Sequence, residues 1–406
     1  MLKQKRCISR FISIIILFVV VILFTGCATS QLHYGDVEHG VKPLIARHEI
    51  NNKELLDVSI LIFDPGKLPE DEEDKRGLSE EIRKAEVRYM PIHLKYTMQR
   101  TGYWGNVRVV PEANEGSEIQ IEGKILESNG EDISINIKVK DSTDRLWFDK
   151  EYSQTVTQEQ RGHTEPEKRD GFQDIYNQIS NDIIEYRKKL TQKEITQIKQ
   201  VAKLRFAKYM APSTFERYLA RDKEGQYKLI RLPSEDDPMM KRINAVKSRD
   251  ELMLDTINNY YDIYYTDMWE SYDNWRKFRS EEMEAIKEID RKSLTQKVLG
   301  AAAIIGAIAL GASGNKDVRD RTGTLRSIMI AGGSYALYQG FQTSKDTEIN
   351  KESIEELGSS FSSEVEPMVI DIEGKTTKLT GSAEQQYSQW KHLLQKIYQK
   401  ETGFDE

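Results

Sequence analysis

Residues 119–125, Ile119-Gln120-Ile121-Glu122-Gly123-Lys124-Ile125, and 133–139, Ile133-Ser134-Ile135-Asn136-Ile137-Lys138-Val139, alternate apolar and polar side chains with period two. Successive side chains of a strand point to opposite faces, so each run makes one dry face and one wet face. Residues 141–144 supply the turn into a third strand at Leu146-Trp147-Phe148. Upstream, residues 56–63 read as a mostly buried strand stopped by Asp64-Pro65-Gly66. The acidic stretch 70–74 is a solvated loop, and a helix follows over roughly 79–101, opened by Ser79 with acidic neighbours. A short strand at 107–110 ends at Pro111. Strand, helix, then a meander of strands covered on one side by helices is an α+β fold.

Downstream the apolar period lengthens to that of helices. Ile175, Ile179, Ile183, Tyr186 and Leu190 share a face, and Thr191-Gln192-Lys193-Glu194 fits a capping box that starts a new helix. Pro212 ends that stretch, and the charged, proline-punctuated residues 222–247 read as a loop. A second capping pattern, Ser248-Arg249-Asp250-Glu251, predicts a long helix over roughly 249–291. Its stripe at alternating spacings of four and three holds Ile257, Tyr261, Tyr264, Met268, Ser271, Trp275, Phe278, Glu282, Ala285 and Ile289, mostly apolar or aromatic, which suits packing against a partner helix. Tyr260, Tyr265, Trp269 and Tyr272 lie off that stripe and make a second adhesive face. Near the C-terminus, residues 369–372 and 376–379 flank Glu373-Gly374-Lys375 as a hairpin. Ser382 then caps a final helix with a core face of Tyr387, Trp390, Leu394, Ile397 and Tyr398.

Two apolar segments rich in small residues, 298–312 and 325–341, flank a polar loop. Ala303, Ala307 and Gly311 recur every fourth position in the first, and Gly332, Ala336 and Gly340 in the second. Such spacing lets helix backbones approach closely, so the pair reads as a helical hairpin. It packs on itself, on further copies, or in a bilayer. Each arm spans roughly 22–25 Å against a hydrocarbon core of ~30 Å, and Arg326 shortens the second.

The first ten residues carry Lys3, Lys5, Arg6 and Arg10 with no acid, and the apolar run 11–24 follows, the pattern of a secretory signal. Phe24-Thr25-Gly26-Cys27 resembles the lipobox of bacterial lipoproteins. That resemblance implies cleavage between Gly26 and Cys27, a diacylglyceryl thioether on Cys27 and acylation of its new amino group. Several acyl chains hold a membrane firmly where one does so only marginally. Ala28 rather than Asp after the cysteine implies the outer membrane, facing the periplasm. Residues 56–190, through their strand-helix-meander order, resemble the small α+β domains of envelope accessory lipoproteins of transport systems and secretion pores. No catalytic residues come with that likeness.

Loss of four positive and no negative charges with the signal takes the formal net charge from −7 to −11, which disfavours nucleic acid as a partner. Cys7 leaves with the signal and Cys27 takes lipid, so neither disulfide, cysteine–zinc site nor thiol nucleophile is expected. No two of the six histidines stand at i, i+4, and no metal is expected. Gly332-Gly333-Ser334-Tyr335-Ala336 misses the last glycine of a hydrolase elbow. The organisation is a signal at 1–26, a lipidated tether at 27–50 and an α+β domain at 51–190. Long helices follow at 191–292, the hairpin at 293–345, and a β-hairpin with a last helix at 346–406. The functional expectation is a non-enzymatic, cofactor-free envelope lipoprotein that assembles with envelope proteins or itself. Its rivals are a glycan binder using exposed aromatics around Trp269 and Tyr272, an oligomeric membrane-inserting protein, and an enzyme with a hidden site.

Overall fold

The computed structural model describes residues 35–36, 40–68, 80–156, 170–234, 236–310, 356, 367–372 and 375–402, with backbone alone over 281–310. It is mixed α+β. The five long strands of the main sheet are β1 (Leu56–Leu61), β2 (Trp104–Val110), β3 (Ile119–Ser128), β4 (Asp132–Asp141) and β5 (Leu146–Thr155). They lie in the order β5-β4-β3-β1-β2.

The meander expected from the period-two runs is β3-β4-β5, antiparallel throughout. In register, Ile121 faces Val139 and Ile125 faces Ile135. The dry row Ile133, Ile135, Ile137 and Val139 is 2 % exposed or less. Burying each such side chain is worth about 1.5–3 kcal/mol. The strand expected at 107–110 starts earlier, at Trp104, and does not follow the meander in space. It lies beyond β1 and parallel to it, because the chain crosses over through helix α1 (Glu80–Gln99) before returning.

Helix α1 carries Pro91 in its interior. Proline has no N–H for the carbonyl of Val87, and that carbonyl instead accepts the N–H of Phe63, just past β1, at 3.0 Å. The apparent helix breaker thus ties helix to sheet. Val87, Met90, Leu94 and Met98 belong to the core of the sheet, with α2 (Gln173–Arg187) on it. Ile82, Ala85, Tyr89 and Ile92 belong to a second core built with the later helices.

Helix α3 (Gln192–Met210) starts at the expected capping box: Thr191 accepts from the N–H of Glu194, and the Glu194 carboxylate accepts the N–H of Thr191. These bonds, with Arg145, hold the Glu194 carboxyl down at about 2. A short helix α4 (Pro212–Phe215) leads to a hairpin of β6 (Leu219–Arg221) and β7 (Tyr227–Leu229). The loop expected over 222–247 is therefore shorter. The long helix α5 runs from Pro238 to Leu310. Its start lies well before the second capping pattern, because the Asp237 carboxylate caps the N–H groups of Met239 and Met240 at 2.8 and 3.2 Å. Proline at the first helical position completes a helix start that leaves Ser248 in mid-helix. The hairpin β8 (Met368–Ile372) and β9 (Lys375–Leu379) and helix α6 (Ala383–Thr402) follow as expected, with the Ser382 hydroxyl accepting from the Gln385 N–H.

Candidate functional site

Among the places where polar side chains hold helix α5 to the rest of the fold, three stand out. The first is the open edge of the sheet. Edge strand β2 would leave backbone groups unpaired, an invitation to foreign strands. Asn258 closes it: its Oδ1 accepts the Val109 N–H at 2.9 Å, and its Nδ2 donates to the Val109 carbonyl at 3.0 Å. One residue away, Arg108 forms a forked pair with Asp255 at 2.6 and 3.2 Å.

The second place joins α5 to α6. Asp250 accepts from the Trp390 indole N–H at 3.1 Å and from Asn114 at 3.2 Å. The Tyr261 hydroxyl donates to Glu384, which Arg88 of α1 also binds at 2.8 Å.

The third place is the densest and joins α1, the start of α2 and α5. Arg276 grips Asp170 through two parallel bonds of 2.8 Å, with side chains 2 % and 0 % exposed. This planar fork is the strongest geometry for the pair. Burial pushes the Asp170 carboxyl up, but Arg276, His93 and the Phe172 N–H outweigh it and hold the group well below the usual carboxylate range. Burial likewise opposes the Arg276 charge, and Asp170, Tyr272 and Tyr89 carry it well above its ordinary value. The guanidinium also lies 4.4 Å over the Tyr272 ring.

Beside this pair, Glu86 accepts from Ser128 at 2.5 Å, Tyr272 at 2.7 Å and Arg83 at 3.1 Å. Burial still leaves its pKa raised. His93 is enclosed with both ring nitrogens engaged, by Tyr265 at 2.6 Å and Gln173 at 3.0 Å. The Gln173 oxygen can only accept, so Nε2 carries the proton and Nδ1 takes the Tyr265 hydroxyl. Burial lowers the His93 pKa, so the neutral ring is the native one. Tyr89 stacks on Tyr265 at 4.8 Å and meets the tilted ring of Tyr272 at 4.5 Å. Finally the β3-β4 turn abuts α5 at Gly130, whose φ is +95°; a Cβ there would meet the Arg279 side chain at 2.8 Å. Glycine alone suits both the dihedral and the space.

Chemically this cluster holds rather than reacts. A general base must reach a substrate proton, and these groups are both buried and committed to protein partners. Among the described residues no group of three or more His, Cys, Asp or Glu could hold a metal ion. Among them also, no helix is long and apolar enough to cross a membrane.

Of the expected stripe of α5, Ile257, Tyr261, Tyr264, Met268 and Trp275 are all 3 % exposed or less, Ser271 is half-buried, and the side chains of Phe278, Glu282, Ala285 and Ile289 fall outside the described ones. The second face is real but not free. Tyr272 is 1 % exposed, and Trp269 is half-buried against Tyr89, His93 and Tyr265. Tyr272 is therefore not offered to a glycan, because α1 covers it, and Trp269 is only partly open. Asp170, Glu86, His93 and Arg276 were missed. The available signal was spacing: Tyr265, Trp269, Tyr272, Arg276 and Arg279 run at 4, 3, 4 and 3, which puts both arginines on the aromatic line. Of the residues singled out beforehand, Ala303 and Ala307 lie on the helical backbone of α5. Gly26, Cys27, Gly311, Gly332, Ala336 and Gly340 fall outside the described residues. No family model, curated protein or solved structure matches this chain.

Proposed function

We propose that this chain is a lipid-anchored envelope lipoprotein and a non-enzymatic assembly or accessory component of an export, transport or envelope-maintenance complex. In this reading Cys27 carries the anchor, and envelope proteins or further copies of the chain are the partners. The supporting observation is α5 itself. It is 73 residues long. The packing described above involves residues up to Arg279, and the helical backbone continues to Leu310, about 45 Å further. A long helix anchored through its first half by side chains is suited to presenting a surface for assembly.

Two experiments in cells test the two halves of this reading. Cys27→Ser is expected to leave an uncut precursor without lipid label; normal processing of that variant would refute the anchor. A photo-reactive residue at Ala336 is expected to crosslink to the same protein or to an envelope component, identified by mass spectrometry. Crosslinks confined within one chain would refute the assembly role.

A further inference from the structure

Part of the stretch read as a tether is docked. Residues 40–46 lie along α2 on three side chains spaced 3 and 4 apart, Asp174, Asn177 and Asn181, which share one helix face. Asp174 accepts the Gly40 N–H at 2.6 Å, and Asn177 donates to the Val41 carbonyl at 2.8 Å. Asn181 is used twice, accepting the Leu44 N–H at 2.7 Å and donating to the Lys42 carbonyl at 2.9 Å. Beyond it, the Ala46 N–H donates to the Thr101 carbonyl at 2.8 Å. Pro43, which has no N–H to offer, falls between these contacts. The polar face of α2 therefore binds main-chain groups of the segment. Gly40 opens the segment with φ +88° and open space where a Cβ would stand, so its conformation alone calls for glycine.

The docking is directional but shallow. Val41 and Leu44 pack only partly against the sheet core, Gly40, Lys42 and Pro43 are exposed, and Ile45 is 55 % exposed. A segment held by partly exposed hydrogen bonds with little apolar burial opens at far lower cost than a core strand.

We propose that residues 40–46 form a releasable strap that sets the reach of the lipid anchor. Docked, residues 40–46 are fixed on α2 and add no free length to the tether. Released, its seven residues add about 25 Å of extended chain between the lipid and the fold. The length function rests on the lipidation of Cys27, whereas the docking does not.

Hydrogen exchange on the purified full-length chain tests the strap directly. The amides of Gly40, Leu44 and Ala46 are expected to be protected, yet to exchange at least ~100-fold faster than those of β4. In the Asn177→Ala/Asn181→Ala double variant, Gly40 and Leu44 are expected to exchange about tenfold faster again, with β4 unchanged. Asn181→Asp, which keeps an acceptor for Leu44 and loses the donor, is expected to fall between. Strap amides as slow as β4, or unprotected in the parent chain, would overturn the proposal. For reach, a dye on Lys223→Cys, an exposed turn position, is read by energy transfer to headgroup-labelled lipid in phosphatidylethanolamine/phosphatidylglycerol vesicles. Transfer is expected to drop in the double variant, and unchanged transfer would overturn the length function. Failure of the chain to float with vesicles would instead refute the anchor and its length function, while the exchange data still decide the strap.

Discussion

Along its dry face β4 buries Ile133, Ile135, Ile137 and Val139; the buried groups gathered at the α1–α5 joint beside Arg276 include Asp170, Glu86, Tyr89, His93 and Tyr272. The first set carries no polar atom, and every member of the second does. The difference follows from what each backbone has left to offer. In the sheet, ladders of hydrogen bonds fix strand against strand, and the side chains need only fill space. Helix α5 has spent its backbone bonds within itself, so only side chains can fix its position on α1 and α2. An apolar stripe of tyrosine, methionine and tryptophan would tolerate a slip of one turn. A buried fork between Arg276 and Asp170 does not, because a slipped helix leaves a charge without its partner. At this joint, polar burial sets the register between elements distant in sequence.

That contrast is open to experiment. The largest loss is expected from Arg276→Ala, which strands a buried carboxylate and should lower the unfolding free energy in urea by about 3–5 kcal/mol. The double variant Asp170→Leu/Arg276→Met should recover most of that loss. A single variant costing under ~1 kcal/mol would make the clamp no more than filler. Ile135→Ala in the dry row is next, at about 3 kcal/mol, and here no second substitution at a distance should rescue it. Asn258→Ala, which uncovers the edge of β2, should cost about 2 kcal/mol through the two Val109 groups left unpaired.

The smallest expected effect is a slope in pH. Burial depresses the His93 pKa in the fold, so stability is full above the unfolded value near 6.5 and is lost as pH falls below it. Glu86 acts in the opposite sense, since its raised pKa makes acidification favourable between its folded and unfolded values. His93→Gln keeps a donor and an acceptor but cannot titrate, and should flatten the loss of stability between pH 7 and the onset of carboxylate protonation. An unchanged slope would remove His93 as its source.

Legibility divides along the same line as the two cores. The period-two runs located β3 and β4, and Thr191 with Glu194 located the start of α3, because each rests on interactions a few residues long. The start of α5 was misplaced because Ser248 and Glu251 form a capping pattern locally, while Asp237 and Pro238 do the capping in the fold. The position of β2 was hidden by a parallel crossover, which leaves no turn motif to read. Asp170 and Arg276 are 106 residues apart, and no local pattern pairs them.

The chain by itself therefore determined the β3–β5 meander, the start of α3 and the apolar line along the first part of α5, since alternation, caps and helical periodicity follow from backbone geometry. Tertiary structure decided which second line of α5 is covered, which charges are desolvated, and that residues 40–46 lie docked on α2. Those outcomes depend on water being excluded by elements far away in sequence. Burial, more than residue identity, turns an aspartate, an arginine or an asparagine from a solvated side chain into a specific joint.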